Sequence, residues 1–548
     1  MLQELVRVIS PDDLGPLSPA GPVPDAPARR PMPDDILKKV LTPERPFGPV
    51  ATPETPDPRI FRTLFDKKNS IAEGLRKGPA LIIGRRGSGK TAFLNSFHFD
   101  DDYAITVSLQ SDEAFPKMLR AIEQKLPENV LAEEVSLLWE NLLWGAVFSE
   151  LIEQHGEQSL AALLPVAHYL EGVGVKQGMS YYRIMRSILK AIEQLNAKVK
   201  VLIDTIDELS AQGVTFGEAK AVAIDFMSKR GLKAIVLIDS LEQFPLDVPS
   251  MANALTGLLR TVGRFNQPGQ PCEIRCCLPS ELYPRLIELS SNPLKDVSSN
   301  IVLHWHAHEL IHLAALRYQR FLELYFPEDY KRQFARIDVS TRPGVRKFWE
   351  TILPKEIYNA TGQCEDSIAY IMRHTQLLPR HLLLYLNEIA KQTLTRNGGE
   401  VTFSEIAVTE GIRITEHMIV EEIFNGYRQV APDAPDACKR LLPNLSIVFT
   451  MGEFHKVYTR NRNHLGGMTD YHEALTLLMA IGAVGVVTGE SERYVRGTFE
   501  YTVPNRLRYS GDDRFCVHPI FAQEYRVAEN CDPETLCPVY PSGSEVDL

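Results

Sequence analysis

Gly84-Arg85-Arg86-Gly87-Ser88-Gly89-Lys90-Thr91 puts three glycines, an ammonium and two hydroxyls into eight consecutive residues. The spacing is G-x-x-x-x-G-K-[ST], that of a loop that cradles phosphate. Glycines let successive backbone N–H groups converge on an anion. Lys90 is then set to reach the β- and γ-phosphates of a nucleoside triphosphate, and the Thr91 hydroxyl to ligate Mg2+. Arg85 and Arg86 lie inside the loop, where they can lean on phosphate, on a partner or on solvent. A metal held by Thr91 needs a carboxylate beside it, at the end of an apolar strand. Two runs qualify: Ala234-Ile235-Val236-Leu237-Ile238-Asp239, followed by Glu242, and Val199-Lys200-Val201-Leu202-Ile203-Asp204.

The flanks of the motif supply the elements that would position it. Pro79–Ile83 reads as a buried strand and Ala92–Phe97 as the start of a helix, the strand–turn–helix setting that the motif needs. There the helix dipole would add to anion binding. Tyr103–Leu109 alternates β-branched residues and predicts a second strand. From about 114 to 196 the apolar spacing is helical, which predicts an all-helical insertion between the second and third strands. Asp239 is favoured over Asp204 because a helical stretch at about 250–265 and a strand at 272–278 follow it, as a parallel sheet requires. Asp204 keeps a competing strand–helix–strand context of its own. One more strand is expected at 300–305.

Helical patterns follow at about 307–325, 344–353, 366–375, 380–394 and 404–427. From about 434 to 526 helices give way to a β ribbon, the pattern of a winged helix. The fold class expected is α/β: a P-loop parallel sheet (about 59–305) with a helical insertion, then a helical lid (306–430) and a winged-helix domain (431–526). Fourteen of the 37 prolines fall within residues 1–58. Proline removes donors and restricts its predecessor, so this segment is expected to be an extended, disordered arm, with Ile36-Leu37 as a local anchor. The polar tail after 527 is expected to be flexible.

The 548 residues, 44% of them hydrophobic, suffice for several buried cores. A net charge of −11 argues against coating nucleic acid by bulk charge, though not against a local basic patch. The eight cysteines form no C-x-x-C and read as reduced thiols. No apolar run approaches 18 residues and no charged start precedes an apolar core, so neither a membrane span nor a signal peptide is expected. These readings point to a cytoplasmic protein without membrane contact. His308 and His312 sit four apart without an H-E-x-x-H, and a structural role is expected for them.

The order of phosphate loop, strand ending in Asp239-Ser240-Leu241-Glu242, helical lid and winged helix resembles the AAA+ and STAND-type P-loop ATPases of prokaryotes, relatives of the origin-recognition initiators and KAP NTPases. The resemblance covers about residues 60–526. It implies ATP rather than GTP, in keeping with the absence of N-K-x-D, and Mg2+ as cofactor. Leu378–Leu386 resembles the lid helix that carries the sensor-2 arginine, so Arg380 would touch the γ-phosphate. Members of the class commonly place Glu directly after the strand-end Asp, where this chain has Ser240. Glu242 is left to orient the attacking water if the chain turns after Asp239, and slow turnover follows if it does not.

Arg260 and Arg264, four apart on one helix face, are either donors to a neighbour's site or a solvated pair. Arg493, Arg496, Arg506, Arg508 and Arg514 cluster around the expected wing and could meet phosphates of DNA. Residues 431–548 nevertheless hold 11 Lys plus Arg against 16 Asp plus Glu, which favours protein contact or packing. Three functions therefore compete. The first is a switch ATPase controlling self-assembly or a protein partner, of the signalling or defence type. The others are a DNA-remodelling ATPase and a nucleotide-stabilised scaffold with little turnover.

Overall fold

Five short, strongly apolar runs pair in parallel and carry the phosphate loop. The structure, a computed structural model, describes residues 34–51, 64, 78–97, 102–109, 132–196, 210–211, 213–239, 249–282, 300–359, 362–396, 401–466, 468–502, 507–527 and 537–544. Asp204, Ser240, Glu242, Arg506 and Cys531 lie outside these residues. The described chain forms two compact units. One takes 78–84 and the residues from 90 to 302; the other takes 34–51, 64, 85–89 and the residues from 303 onward.

The first unit has seven strands among its described residues: β1 (Leu81–Gly84), β2 (Ile105–Leu109), β3 (Ser210–Ala211), β4 (Val214–Thr215), β5 (Ala234–Ile238), β6 (Cys272–Pro279) and β7 (Asn300–Val302). β3 and β4 form a small antiparallel hairpin. The other five make one sheet in the order β2-β5-β6-β1-β7, parallel throughout. Leu81 sits opposite Cys276 on one side and Asn300 on the other, and Ile105 opposite Ala234. Every residue of β1 and β5 is buried, as expected of parallel strands covered on both faces.

Its helices are α1 (Lys90–Ser96), α2 (Ala132–Gly172), α3 (Tyr181–Asn196), α4 (Phe216–Arg230) and α5 (Pro249–Phe265). α2 bends at Ser159, whose φ/ψ of −140°/27° leave the helical region. α4 is bounded by local chemistry. Thr215 accepts from the Glu218 N–H, Glu218 returns the bond, and Gly231 at φ 64° ends the helix. α2 and α5 cross at Gly257, where an added Cβ would stand 2.9 Å from Val135 Cβ. Trp139 Nε1 donates to the Ala254 carbonyl there at 2.9 Å. Ala132–Gly156 is long and apolar enough to cross a membrane, yet 83% of that stretch is buried inside the unit.

At this crossing the reading of Arg260 and Arg264 is corrected. Arg260 Nη1 donates to Glu133 at 3.0 Å and Arg264 Nη1 to Glu140 at 3.2 Å, so both are engaged by α2 within the same unit.

The second unit holds α6 (Ala307–Tyr325), α7 (Arg342–Ile352), a hairpin of β8 (Glu356–Tyr358) and β9 (Cys364–Asp366), α8 (Ser367–Arg373), α9 (Pro379–Arg396) and α10 (Glu405–Tyr427). These helices lie within a few residues of the patterns read from sequence. A winged-helix-like domain follows: α11 (Ala434–Leu441), β10 (Val448–Thr450), α12 (Met451–Asn461), α13 (Tyr471–Ala480), β11 (Val484–Glu490), β12 (Val495–Thr498), β13 (Arg514–Val517) and α14 (Pro519–Glu524). Its sheet runs β10-β13-β11-β12-β14, where β14 is Val539–Pro541.

Two expectations of disorder are corrected in this unit. Residues 34–51 of the proline-rich arm are fixed: Phe47 is fully buried and stacks on Tyr318 with ring centroids 4.7 Å apart. Asn387 accepts from the Phe47 N–H at 2.9 Å and donates to the Gly48 carbonyl at 3.0 Å, while Arg317 Nη1 donates to the Phe47 carbonyl at 3.2 Å. Proline-rich backbone has few donors to satisfy, so side chains can bind its carbonyls instead. The tail, expected to be flexible, adds β14 in parallel to β12, and Tyr540 Oη donates to Glu365.

Candidate functional site

β1 ends at Gly84 and the chain turns at once. Gly87 and Gly89 take φ of 83° and 89°, values that side chains rarely adopt, which is why these positions need glycine. The Ser88 N–H donates to the Arg85 carbonyl at 3.1 Å and closes the turn. Lys90 follows as the first residue of α1, 7% exposed, its Nζ donating to the Gly84 carbonyl at 2.9 Å. The loop leaves the C-terminal end of β1, the edge at which open parallel sheets gather ligands.

Asp239 leaves the same edge, directly after β5, with β6 between β5 and β1. It is 5% exposed, and its N–H donates to the Leu109 carbonyl at 3.2 Å. Thr91 Oγ1 donates to Asp239 Oδ2 at 2.6 Å. The sequence left two carboxylates in competition. Asp239 stands beside the loop threonine, while Asp204 and the expected water-orienting Glu242 fall outside the described residues.

These residues fit a phosphate chain with Mg2+. Ser88 is 1% exposed and its Oγ has no hydrogen-bond partner among the described residues, an acceptor-seeking hydroxyl in the middle of the cradle. Thr91 and Asp239 form a hydroxyl–carboxylate pair, the donor set that Mg2+ takes in such loops. Helix α1 has only seven residues, so anion attraction rests on loop N–H groups and the Lys90 ammonium more than on a helix dipole.

The turn residues 85–89 have their own partners in the second unit. Trp305 Nε1 donates to the Ser88 carbonyl at 2.8 Å, and the Arg380 N–H, at the start of α9, donates to the Gly87 carbonyl at 3.4 Å. A Cβ on Gly87 would stand 3.1 Å from Arg380 Cβ. The Arg380 guanidinium is held by Glu422 of α10 and by the Val50 carbonyl of the arm, 3.3 Å from Nε. Arg85 donates to both the carbonyl and the side chain of Gln376 and lies over the Tyr501 ring, 5.0 Å from its centroid. Arg86 passes Gly426 of α10, where an added Cβ would stand 3.6 Å from Arg86 Cβ. Gln376, Glu422 and Tyr501 carry no motif, and nothing in their sequence context marks them.

The surroundings of these groups are dry and cationic. Burial first, then Arg85 and Arg380, holds His381 well below the usual histidine range. Burial first, then Arg85, pushes His518 down to about 3. Both imidazoles are neutral at pH 7, in keeping with their bonds: His381 Nδ1 accepts from the Gln376 N–H at 3.4 Å, and His518 Nδ1 from the Ile520 N–H at 3.2 Å.

Of the wing arginines, Arg493, Arg496, Arg508 and Arg514 are exposed, and Arg514 pairs with Glu490 at 2.6 Å. A second basic run, Lys456 and Arg460 on α12 with Arg462 just beyond, is exposed as well. Among the described residues no group of His, Cys, Asp and Glu is placed to hold a metal ion by itself. His306 instead stacks against His308 with centroids 5.6 Å apart. The seven described cysteines are free thiols.

No family model and no curated relative matches the chain. Among solved structures, it is similar to the ORC2 protein of Aeropyrum pernix in ADPNP–ADP complexes, at 11% identity, 88% of this chain, 96% of the other and a TM-score of 0.39. It is also similar to the ORC1 protein of Aeropyrum pernix in complex with DNA, at 14% identity, 86% and 91% coverage and a TM-score of 0.29. At these scores the architecture rests on the chain's own geometry: an α/β parallel sheet bearing a phosphate loop, helices after it, and a winged-helix-like domain at the end.

Proposed function

We propose that the chain is a Mg2+-dependent ATP-binding and ATP-hydrolysing switch of the AAA+ or STAND kind, a cytoplasmic protein whose nucleotide state controls self-assembly or a protein partner. The observation that carries the reading is the 2.6 Å bond from Thr91 to Asp239 beside a loop with Gly87 and Gly89 at positive φ. A chance G-x-x-x-x-G-K-T has no reason to meet a strand-end carboxylate. Phosphoryl transfer asks the protein mainly for positioning and charge neutralisation.

Lys90 leaves the Gly84 carbonyl to meet the β- and γ-phosphate oxygens, and loop N–H groups with Ser88 Oγ fix the phosphate chain. Thr91 and Asp239 would hold Mg2+, which supplies charge neutralisation when bound. Glu242 orients the attacking water, and Arg380 adds positive charge at the transferred group after exchanging Glu422 for phosphate. Arg85 and Arg86 shape the loop. The test is steady-state ATP hydrolysis and nucleotide affinity for wild type, Lys90→Ala, Asp239→Asn and Glu242→Gln. Turnover lost in Glu242→Gln with binding retained supports the roles; a wild type that binds no ATP sinks the reading. Tight Lys90-dependent binding without turnover in wild type would make it a scaffold.

A DNA-acting ATPase is the second reading. It is supported by the exposed Arg493, Arg496 and Arg508 together with Lys456, Arg460 and Arg462. It requires salt-dependent DNA binding that falls in Arg506→Ala/Arg508→Ala.

A further inference from the structure

Arg85 occupies a position to which the loop motif gives no phosphate duty, yet its side chain is closely held. Nη1 donates to the Gln376 carbonyl at 3.4 Å, Nη2 to Gln376 Oε1, and the guanidinium covers the Tyr501 ring. Its own carbonyl accepts the Ser88 N–H that closes the turn. Anchoring the side chain therefore fixes the carbonyl on which the turn depends. The planar fork suits this task, because donors on both terminal nitrogens and a ring face together orient it.

The anchor leads into the winged-helix-like domain by two routes. Gln376 is 1% exposed, and its Nε2 donates to the carbonyls of Ile481 (3.2 Å) and Gly482 (3.4 Å), just beyond α13. Tyr501 Oη meets His518 Nε2 at 2.8 Å. His518 is fully buried and caps α14 through Nδ1, which leaves the proton on Nε2 to donate to Tyr501. The two routes meet at Gly482, φ 73°, where a Cβ would stand 2.8 Å from Gln376 Nε2 and 2.9 Å from Tyr501 Cδ1. Gln376 and Tyr501 can close on Arg85 only because position 482 has no side chain.

We propose that Arg85 is a positioning residue that ties the phosphate loop to the winged-helix-like domain through Gln376 and Tyr501. Nucleotide binding and the conformation of that domain are thereby coupled. The proposal rests on the nucleotide reading and deepens it by naming the domain that senses the loop. Coupling of this kind is reciprocal: whatever engages the domain changes nucleotide affinity by the same factor that nucleotide changes its affinity.

The test uses the full-length protein with Mg2+ and a fluorescent N-methylanthraniloyl ATP. Affinity is measured for wild type, Arg85→Ala, Arg85→Lys, Gln376→Ala, Tyr501→Leu, Arg85→Ala/Tyr501→Leu and Lys90→Ala, each checked by thermal unfolding. Each single variant at Arg85, Gln376 or Tyr501 is expected to weaken binding about tenfold, with the double variant no worse than Arg85→Ala alone. Arg85→Lys keeps the charge but loses the fork, and is expected to behave as Arg85→Ala. Hydrogen exchange at residues 481–502 and 515–524 is expected to slow with nucleotide in wild type and to stay unchanged in Arg85→Lys.

Weakening by Arg85→Ala alone, with Tyr501→Leu and Gln376→Ala at wild-type affinity, would place Arg85 on phosphate directly and overturn the proposal. Additive losses, or nucleotide-insensitive exchange in wild type, would overturn it as well. A wild type that binds no nucleotide, or binds independently of Lys90, refutes the nucleotide reading itself. Should Tyr501→Leu fail to fold, Arg85→Lys and the exchange measurement still decide.

Discussion

The two units bury different things. The sheet of the first is walled by aliphatic runs, Leu81–Ile83 and Ala234–Ile238; of its buried charges, Lys90 and Asp239 lie at the proposed phosphate site, while Arg275 on β6 pairs with Glu273 and Glu140 on α2 with Lys220. The second buries His374, His381, His518, Gln376 and the Arg373–Glu365 pair, along with a fully covered Phe47 from the arm. Both units are held by area removed from water, and the second adds a group of buried imidazoles that must be matched as well. The phosphate loop shares the contrast: Lys90 and Thr91 rely on neighbours that their motif announces, whereas Arg85 and Gly87 rely on residues about 290 positions away.

The sharpest way to break the contrast is at the motif itself. Lys90→Ala is expected to lower nucleotide affinity at least a hundredfold and abolish turnover. Asp239→Asn is expected to cost turnover at least as much while sparing most of the binding, as read by ATP titration and phosphate release. Next comes the arm. Phe47→Ala is expected to destabilise the second unit by about 3–5 kcal/mol through the cavity left among Tyr318, Trp349 and Phe403, measured by denaturant unfolding. A loss under about 1 kcal/mol would mean that residues 34–51 are not anchored.

Acid should separate the units. His374, His381 and His518 sit below their unfolded value, chiefly through burial, so the unfolded chain binds more protons than the folded one below about pH 6.5. The stability they contribute is present above that pH and is lost as pH falls below it, for His518 down to about 3, at about 1.4 kcal/mol per pH unit for a histidine that stays neutral in the folded state. Glu416, raised by burial, and His417, raised by its bond to Glu524, work in the opposite sense. Hydrogen exchange should therefore show residues 372–390 and 515–524 opening on acidification before β1 and β5. Simultaneous opening would erase the distinction.

Smaller effects refine it. Glu422→Gln releases Arg380 from its ion pair and is expected to tighten nucleotide binding two- to fivefold, whereas a loss would mean that Glu422 positions Arg380 productively. Arg508→Ala is expected to leave ATP turnover within twofold of wild type and to change only the salt dependence of any DNA binding.

Much of this was legible because it is local. Strand, turn and helix around Gly84–Thr91 and the helices between 307 and 427 each follow from residues within a few positions of one another. Residues 34–51 of the arm and Val539–Pro541 of the tail were misread because composition describes a segment's intrinsic tendency, not its environment. Phe47 finds an aromatic slot and Val539–Pro541 a strand edge, and neither is written near them. Arg260 and Arg264 looked free for the same reason; their carboxylates come from a helix more than a hundred residues earlier.

The sequence by itself determined the chemistry of the phosphate loop, the apolar strands that carry it and the order of sheet, helices and terminal β ribbon, because periodicity and turn chemistry act over short spans. Tertiary structure alone decided that Asp239 meets Thr91, that Glu422 holds Arg380 and that Gln376 and Tyr501 grip Arg85. Such pairs join residues from 42 to more than 400 positions apart. Only the folded backbone, having already met the cost of ordering the chain between them, brings them within hydrogen-bonding reach.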